Sequence, residues 1–277
     1  MSLSVRVQYL LPKLALTRLA GRFAAWQGGR VTTAAIRRFV ARYRVDMSEA
    51  AEPDVAAYAS FNEFFTRPLK PGLRPLAASF HVCPVDGAVS QCGPIRGDQI
   101  FQAKGHAYSA LTLVGGDAGM AGRYRDGTFA TIYLSPRDYH RIHMPCEGRL
   151  LSMTHVPGDL FSVNVATAAE VPGLFARNER VVCEFESARG RFVLVLVGAT
   201  IVGSMATVWH GVVNPPRPGQ VRRWDYADQN IVLAQGAEMG RFLLGSTVVL
   251  LFPAGAAALD AGWVAAKPVR LGEVMGA

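Results

Sequence analysis

The spacing of apolar residues changes period near residue 80. From Pro12 onward, Leu16, Leu19, Phe23 and Trp26 recur three or four residues apart, the repeat of one helix face, while Arg18 and Arg22 fall on another flank. Gly28-Gly29 ends this segment. A second stripe of Ile36, Phe39, Val40 and Tyr43 follows Thr32-Thr33, with Arg37, Arg38 and Arg42 on other faces. "SFNEFF" offers Ser60-x-x-Glu63, a capping box, and predicts a short helix. "RPLKPGLRPL", with three prolines in ten residues, reads as a linker. Beyond Cys83 short β-rich runs alternate with turn dipeptides, and only the stretch 166–170 is ambiguous between helix and strand.

Two apolar runs in the second part need a decision. Phe192–Trp209 carries no charge over 18 residues, at the lower limit for a membrane-spanning helix. Its β-branched residues and its breaks at Gly198 and Gly203 fit two consecutive buried strands better. "LLGSTVVLLF", Leu243–Phe252, reads as a buried strand interrupted by Gly245-Ser246-Thr247. The fold class expected is α+β: N-terminal amphipathic helices, then a β-rich domain, mainly antiparallel and sandwich- or barrel-like. The expected division is a basic helical region with its linker over residues 1–75 and a catalytic domain over 76–277.

Charge alters the picture of the first region more than that of the second. The net charge of the 277-residue chain is +8, but residues 1–45 hold nine Lys or Arg and no Asp or Glu. The remainder, with 20 basic and 21 acidic residues, is close to neutral. A basic arm with segregated leucines and aromatics suits an anionic membrane surface. It does not suit a nucleic acid, because the aromatics sit in the apolar stripe and no nucleic-acid motif accompanies them. Lys13, Arg18 and Arg22 interrupt any secretory h-region, whereas a mitochondrial presequence would share this composition. Cys83, Cys92, Cys146 and Cys183 lack metal-like spacing and read as reduced thiols.

Candidate chemistry gathers in four stretches. "PVDGAV" holds Asp86 in what looks like an ordinary turn dipeptide. "KGHAYS" brings Lys104, His106 and Tyr108 into a polar loop. "SPRDYHRIHMP" places His140 and His143 three apart, on one side of a helix but on opposite faces of a strand. His81, His155 and His210 have no comparable company and read as structural. Ser246 could be a nucleophile if a base and an orienting carboxylate met it, and His143 and Asp86 supply those types. "LLGSTV" is not the G-x-S-x-G elbow, which argues against an ordinary α/β-hydrolase.

Taken in order, "FNEFFTRPLKPGLRP", "PVDGAV", "KGHAYS", "YLSPRDYHRIHMP", "VGATIVGS" and "GRFLLGSTVVLLF" resemble the phosphatidylserine decarboxylases, pyruvoyl-dependent membrane enzymes of the prokaryotic type. The matching stretches span most of residues 60–253, and the LGST step with YHRIHMP is the specific part. The resemblance implies that the proenzyme cuts itself between Gly245 and Ser246. A β-chain of residues 1–245 would be released from an α-chain of 246–277, and Ser246 would become a covalent pyruvoyl group. That pyruvate-derived cofactor would form a Schiff base with phosphatidylserine, release CO2 and yield phosphatidylethanolamine. Carried over residue by residue, Asp86, His143 and Ser246 form the self-cleavage triad, and His140 serves decarboxylation and protonation. Lys104 and Tyr108 would shape the substrate pocket, and no metal is expected. The implied partners are the anionic phospholipid bilayer and phosphatidylserine, a complex of β- and α-chains, and a further homodimer. The implied place is the cytosolic side of a bacterial cytoplasmic membrane, peripherally bound. Two rivals remain: a zinc hydrolase using His140, His143 and Asp86, and a non-enzymatic membrane-surface scaffold.

Overall fold

The computed structural model describes residues 2–200, 204–215, 217, 219–244 and 247–276. Three helices open the chain: α1 (Leu3–Leu10), α2 (Lys13–Ala25) and α3 (Arg30–Tyr43). A fourth, α4 (Phe61–Phe65), is capped as its sequence predicts, with Ser60 Oγ accepting from the Glu63 N–H at 3.2 Å. The Glu63 carboxylate reaches back to the Ala59 N–H, one residue before the cap.

The regular structure of the remaining chain is mainly antiparallel sheet. The large sheet runs, edge to edge, through Arg222–Asp225, Gly148–Val156, Arg180–Ser187, Gly190–Val197, Thr247–Phe252, Thr128–Tyr133, Gly87–Pro94 and Pro268–Val269; Val232–Leu233 also pairs with Gly148–Val156. A four-stranded sheet orders Gly211–Val212, Met205–Thr207, Glu238–Phe242 and Arg141–His143. Neither closes on itself, so the barrel-like alternative is corrected to two open sheets.

Side-chain alternation along the central strand explains why it is apolar at every position. Val248, Leu250 and Phe252 point into one core with Ile142, Met205, Met239 and Phe242 of the smaller sheet. Val249 and Leu251 point into a second core under short helical segments, with Leu113, Met120, Leu174 and Phe175. Both faces are covered, as a continuous apolar strand requires. Each of these buried side chains contributes about 1.5–3 kcal/mol relative to exposure.

The two apolar stripes of the arm have different fates. In α3, Ile36 is buried and Phe39 packs edge-on against Phe61, Phe64 and Phe65 of α4. In α2 the face toward the body is small, with Thr17 and Ala24 buried, while Leu19 is 67% exposed and Phe23 and Trp26 about half exposed. No helix among the described residues is long and apolar enough to cross a membrane.

Elements within the ambiguous stretches are now assigned. Gly190–Val197 and Met205–Thr207 are strands, in different sheets. Val165–Glu170 is helical. "KGHAYS" is a hairpin rather than a loop: His106–Ser109 pairs with Gln99–Ala103, and Lys104 turns the corner at positive φ.

Candidate active site

Leu243–Phe252 is not one interrupted strand. Glu238–Phe242 belongs to the small sheet, and Thr247–Phe252 is the centre of the large one. Leu243 and Leu244 lead from the first toward the second, with the Leu243 N–H donating to the Ser204 carbonyl. Leu244 packs against both the second core and the α4 aromatic cluster. Gly245 and Ser246, the expected cleavage pair, lie outside the described residues. Thr247 already belongs to the large sheet, paired with Tyr133 on one edge and Val197 on the other.

The histidine segment is bonded to the strand that leads into Leu243 and Leu244. Arg141–His143 pairs with Glu238–Phe242, and the Phe242 N–H donates to the His140 carbonyl at 3.1 Å. A bulge between Glu238 and Gly240 re-aims the ladder. Gly240 is required there, because a Cβ would meet the Ala206 carbonyl oxygen at 2.5 Å. Arg141 ties the segment to α4: its Nε donates to the Thr66 carbonyl and its Nη1 pairs with Glu238, each at 2.8 Å.

His140 is fully buried, with its ring 4.1 Å from that of Phe65. Its Nδ1 lies 2.8 Å from the Asp138 carbonyl oxygen. A carbonyl can only accept, so Nδ1 carries the proton and Nε2 the lone pair. Nε2 is buried with no hydrogen-bond partner among the described residues. Burial pushes the imidazole pKa down to about 3, so it is neutral at pH 7.

His143 is held differently. Its Nδ1 donates to the Gly236 carbonyl at 2.8 Å, and its Nε2 accepts from the Tyr139 hydroxyl at 3.1 Å. Desolvation lowers its pKa, and burial pushes the Tyr139 phenol up to about 12, which keeps the phenol a donor. His143 thus has the tautomer a general base needs, with a lone pair on Nε2.

Asp86 does not hydrogen-bond His143 in this structure. Its carboxylate is taken by Arg74, through Nη2 at 2.6 Å and Nε at 3.1 Å, and by the Leu271 N–H at 2.9 Å. The Gly236 carbonyl performs the ring-orienting task that the triad comparison gives to Asp86, while Asp86 contributes only its charge to the His143 environment. The following glycine is more than a turn residue: a Cβ on Gly87 would meet the Tyr133 carbonyl oxygen at 2.4 Å. It permits the close pairing of Gly87–Pro94 with Thr128–Tyr133.

Tyr108 and Lys104 are not with these groups. Tyr108 is buried in the second core against Phe175, and Lys104 sits at an exposed hairpin corner. Neither is among the described residues that line the cavities at His143 or at Leu244. His140, His143 and Asp86 do not converge on a point either. Among the described residues no three His, Cys, Asp or Glu side chains gather as metal ligands. His155 bonds Glu179 at 2.9 Å and His210 bonds the Tyr226 hydroxyl at 2.8 Å, consistent with structural roles. All four cysteines are free thiols.

Sequence reasoning missed Arg74, Tyr139 and the Gly236 carbonyl. Arg74 was hidden in the proline-rich stretch, whose rigidity is what delivers it to Asp86 and Glu49. A backbone carbonyl leaves no trace in composition at all.

A proenzyme carboxy-lyase is the class to which fold, site and relatives together point. The family model described as phosphatidylserine decarboxylase matches residues 61–277, and one described as PSD matches residues 3–44. A phosphatidylserine decarboxylase proenzyme of Acidovorax ebreus is 72% identical over 273 residues, covering 99% of this chain and 96% of the relative. That of Chromobacterium violaceum is 70% identical over 274 residues, covering 99% and 98%. The chain belongs to the phosphatidylserine decarboxylase family.

Proposed function

We propose that this chain is a phosphatidylserine decarboxylase proenzyme that cuts itself at Gly245–Ser246 and then converts phosphatidylserine to phosphatidylethanolamine and CO2. The observation that carries this reading is the pairing of the His140–His143 segment with Glu238–Phe242, which brings both imidazoles to the strand that enters the cleavage step.

In maturation, Ser246 Oγ attacks the Gly245 carbonyl carbon and His143 Nε2 takes the hydroxyl proton. The peptide bond becomes an ester. Loss of the Ser246 α-proton and departure of the Gly245 carboxylate break the chain and leave dehydroalanine. Water then replaces nitrogen, ammonia leaves, and residue 246 ends as a pyruvoyl group. Tyr139 must release Nε2 for the first step, and Gly236 holds the ring through Nδ1. Arg74 holds the Asp86 carboxylate in place through its forked contact, near the ring that becomes imidazolium.

The surroundings suit the pyruvoyl group, because His140 offers a buried Nε2 with no hydrogen-bond partner among the described residues. When formed, that group supplies an electron sink for the bond that loses CO2. His140, neutral and held by the Asp138 carbonyl, accepts a proton at Nε2 from the substrate ammonium and returns it to the carbon that has lost CO2. Water exclusion by Phe65 and the α4 cluster strengthens each of these interactions.

Leu19, Phe23 and Trp26, exposed beside Arg18 and Arg22, suit a peripheral seat on an anionic bilayer where the lipid resides. A β-chain/α-chain complex follows from the cut. A homodimer rests on the family resemblance alone, and its test is the native mass in solution.

The deciding experiment is the intact mass of the denatured protein beside Ser246→Ala and His143→Ala. Expected are two chains divided after Gly245, with a pyruvoyl mass on the smaller. Ser246→Ala should stay whole, and His143→Ala should cleave about 10²–10⁴-fold more slowly. A wild-type chain that stays whole would refute the reading.

A further inference from the structure

A cavity of about 520 Å³ lies between α2 and the Leu243–Leu244 passage. Its wall is mostly apolar, yet three guanidinium groups line it: Arg18, Arg22 and Arg217. Arg18 and Arg22 are one helical turn apart, and Gly21 and Ala25 beside them leave room for a ligand. No acidic residue is among the described residues that line it.

Arg217 is the built part of this wall. Its Nε bonds both carboxylate oxygens of Glu179 at 2.9 Å, and Glu179 is itself buried against His155. That leaves Arg217 Nη2 buried with no hydrogen-bond partner among the described residues. An unsatisfied charged donor in such a place is costly unless a ligand completes it. Asn62 lines the same cavity, and its Oδ1, an acceptor suited to an amine, is buried with no hydrogen-bond partner among the described residues.

We propose that Arg18, Arg22 and Arg217 bind the phosphodiester of the phospholipid substrate in this cavity, with Asn62 accepting from its amine. The inference rests on the decarboxylase reading and adds the residues that determine headgroup affinity. Guanidinium forks match phosphate oxygens in pairs, and a mostly apolar wall strengthens that contact. The cavity is lined by Leu243 and Leu244, the last described residues before the proposed cut. Its acyl chains leave along the exposed Leu19 and Phe23 side of α2 and return to the bilayer.

The test uses mature enzyme and dihexanoyl phosphatidylserine below its micelle concentration, so that membrane recruitment plays no part. Arg18→Gln/Arg22→Gln changes exposed side chains and should fold and cleave like wild type. Its KM should rise at least about tenfold with kcat changed less than about threefold. Arg217→Gln should act in the same direction, with its cleaved fraction reporting whether it folds. Arg125→Gln, at an exposed turn away from this wall, should leave KM alone. Glycerophosphoethanolamine, which keeps the phosphodiester and amine without tails, should inhibit wild type competitively and lose potency in the double variant. Unchanged KM and unchanged inhibition in a fully cleaved double variant would overturn the assignment while leaving the decarboxylase reading intact. A wild type that neither cleaves nor decarboxylates would remove both.

Discussion

Arg74 and Asp86 have side chains only 6% and 10% exposed, so neither charge is stable there without the other. Arg74→Ala should cost roughly 3–5 kcal/mol in urea unfolding, because it strands a buried carboxylate beside Glu49. Arg74→Lys should recover only part of this, since an ammonium cannot reproduce the forked contact. His140 gives a pH signature. Its folded pKa of about 3 lies below the ordinary value of 6.5, so below pH 6.5 the unfolded chain takes up a proton that the folded chain refuses. Its contribution is fully present above 6.5 and is lost as pH falls toward 3, at about 1.4 kcal/mol per pH unit within that window. Stability measured from pH 7 to 4 should fall less steeply in His140→Gln than in wild type. His143 is shifted in the same direction, so self-cleavage should keep its rate to a pH below 6.5 before its base is protonated.

Among the elements, the pairing of Gly87–Pro94 with Thr128–Tyr133 depends on a residue without a side chain. Gly87→Ala should lower the melting midpoint by the equivalent of about 1–3 kcal/mol, as the new methyl meets a backbone oxygen that cannot turn aside. The arm offers a complementary test. Leu19→Ser/Phe23→Ser/Trp26→Ser alters side chains that face away from the body, and should weaken binding to anionic vesicles without lowering thermal stability. Helical periodicity revealed both α2 and α3 but could not tell that one stripe faces outward and the other inward. The difference lies in partners: Phe39 finds the α4 aromatics, which sit 22 or more residues away in sequence, and Leu19 finds nothing comparable. Likewise, the run of apolar residues after Thr247 revealed a buried strand. That the preceding strand belongs to a different sheet depends on the Glu238–Phe242 ladder with Arg141–His143, a pairing across about a hundred residues that no local pattern carries. The motif residues themselves were legible because their chemistry is in their side chains. Gly236 and Leu271 act through backbone groups, so nothing in their identity announced them.

For the molecule as a whole, the strand that follows the cleavage step is bonded on both edges, to Gly190–Val197 and to Thr128–Tyr133. Cutting the chain in front of it should therefore not release it. The two polypeptides should elute together from a sizing column in native buffer and separate only in denaturant. The same placement sets a clock on biosynthesis. Residues 128–133 and 190–197 leave the ribosome early, yet they meet only through a strand near the end of the chain. Until residues 247–252 emerge, the large sheet is two unjoined halves. A nascent chain stalled before that point should stay unprocessed, and maturation should wait until that strand has joined them.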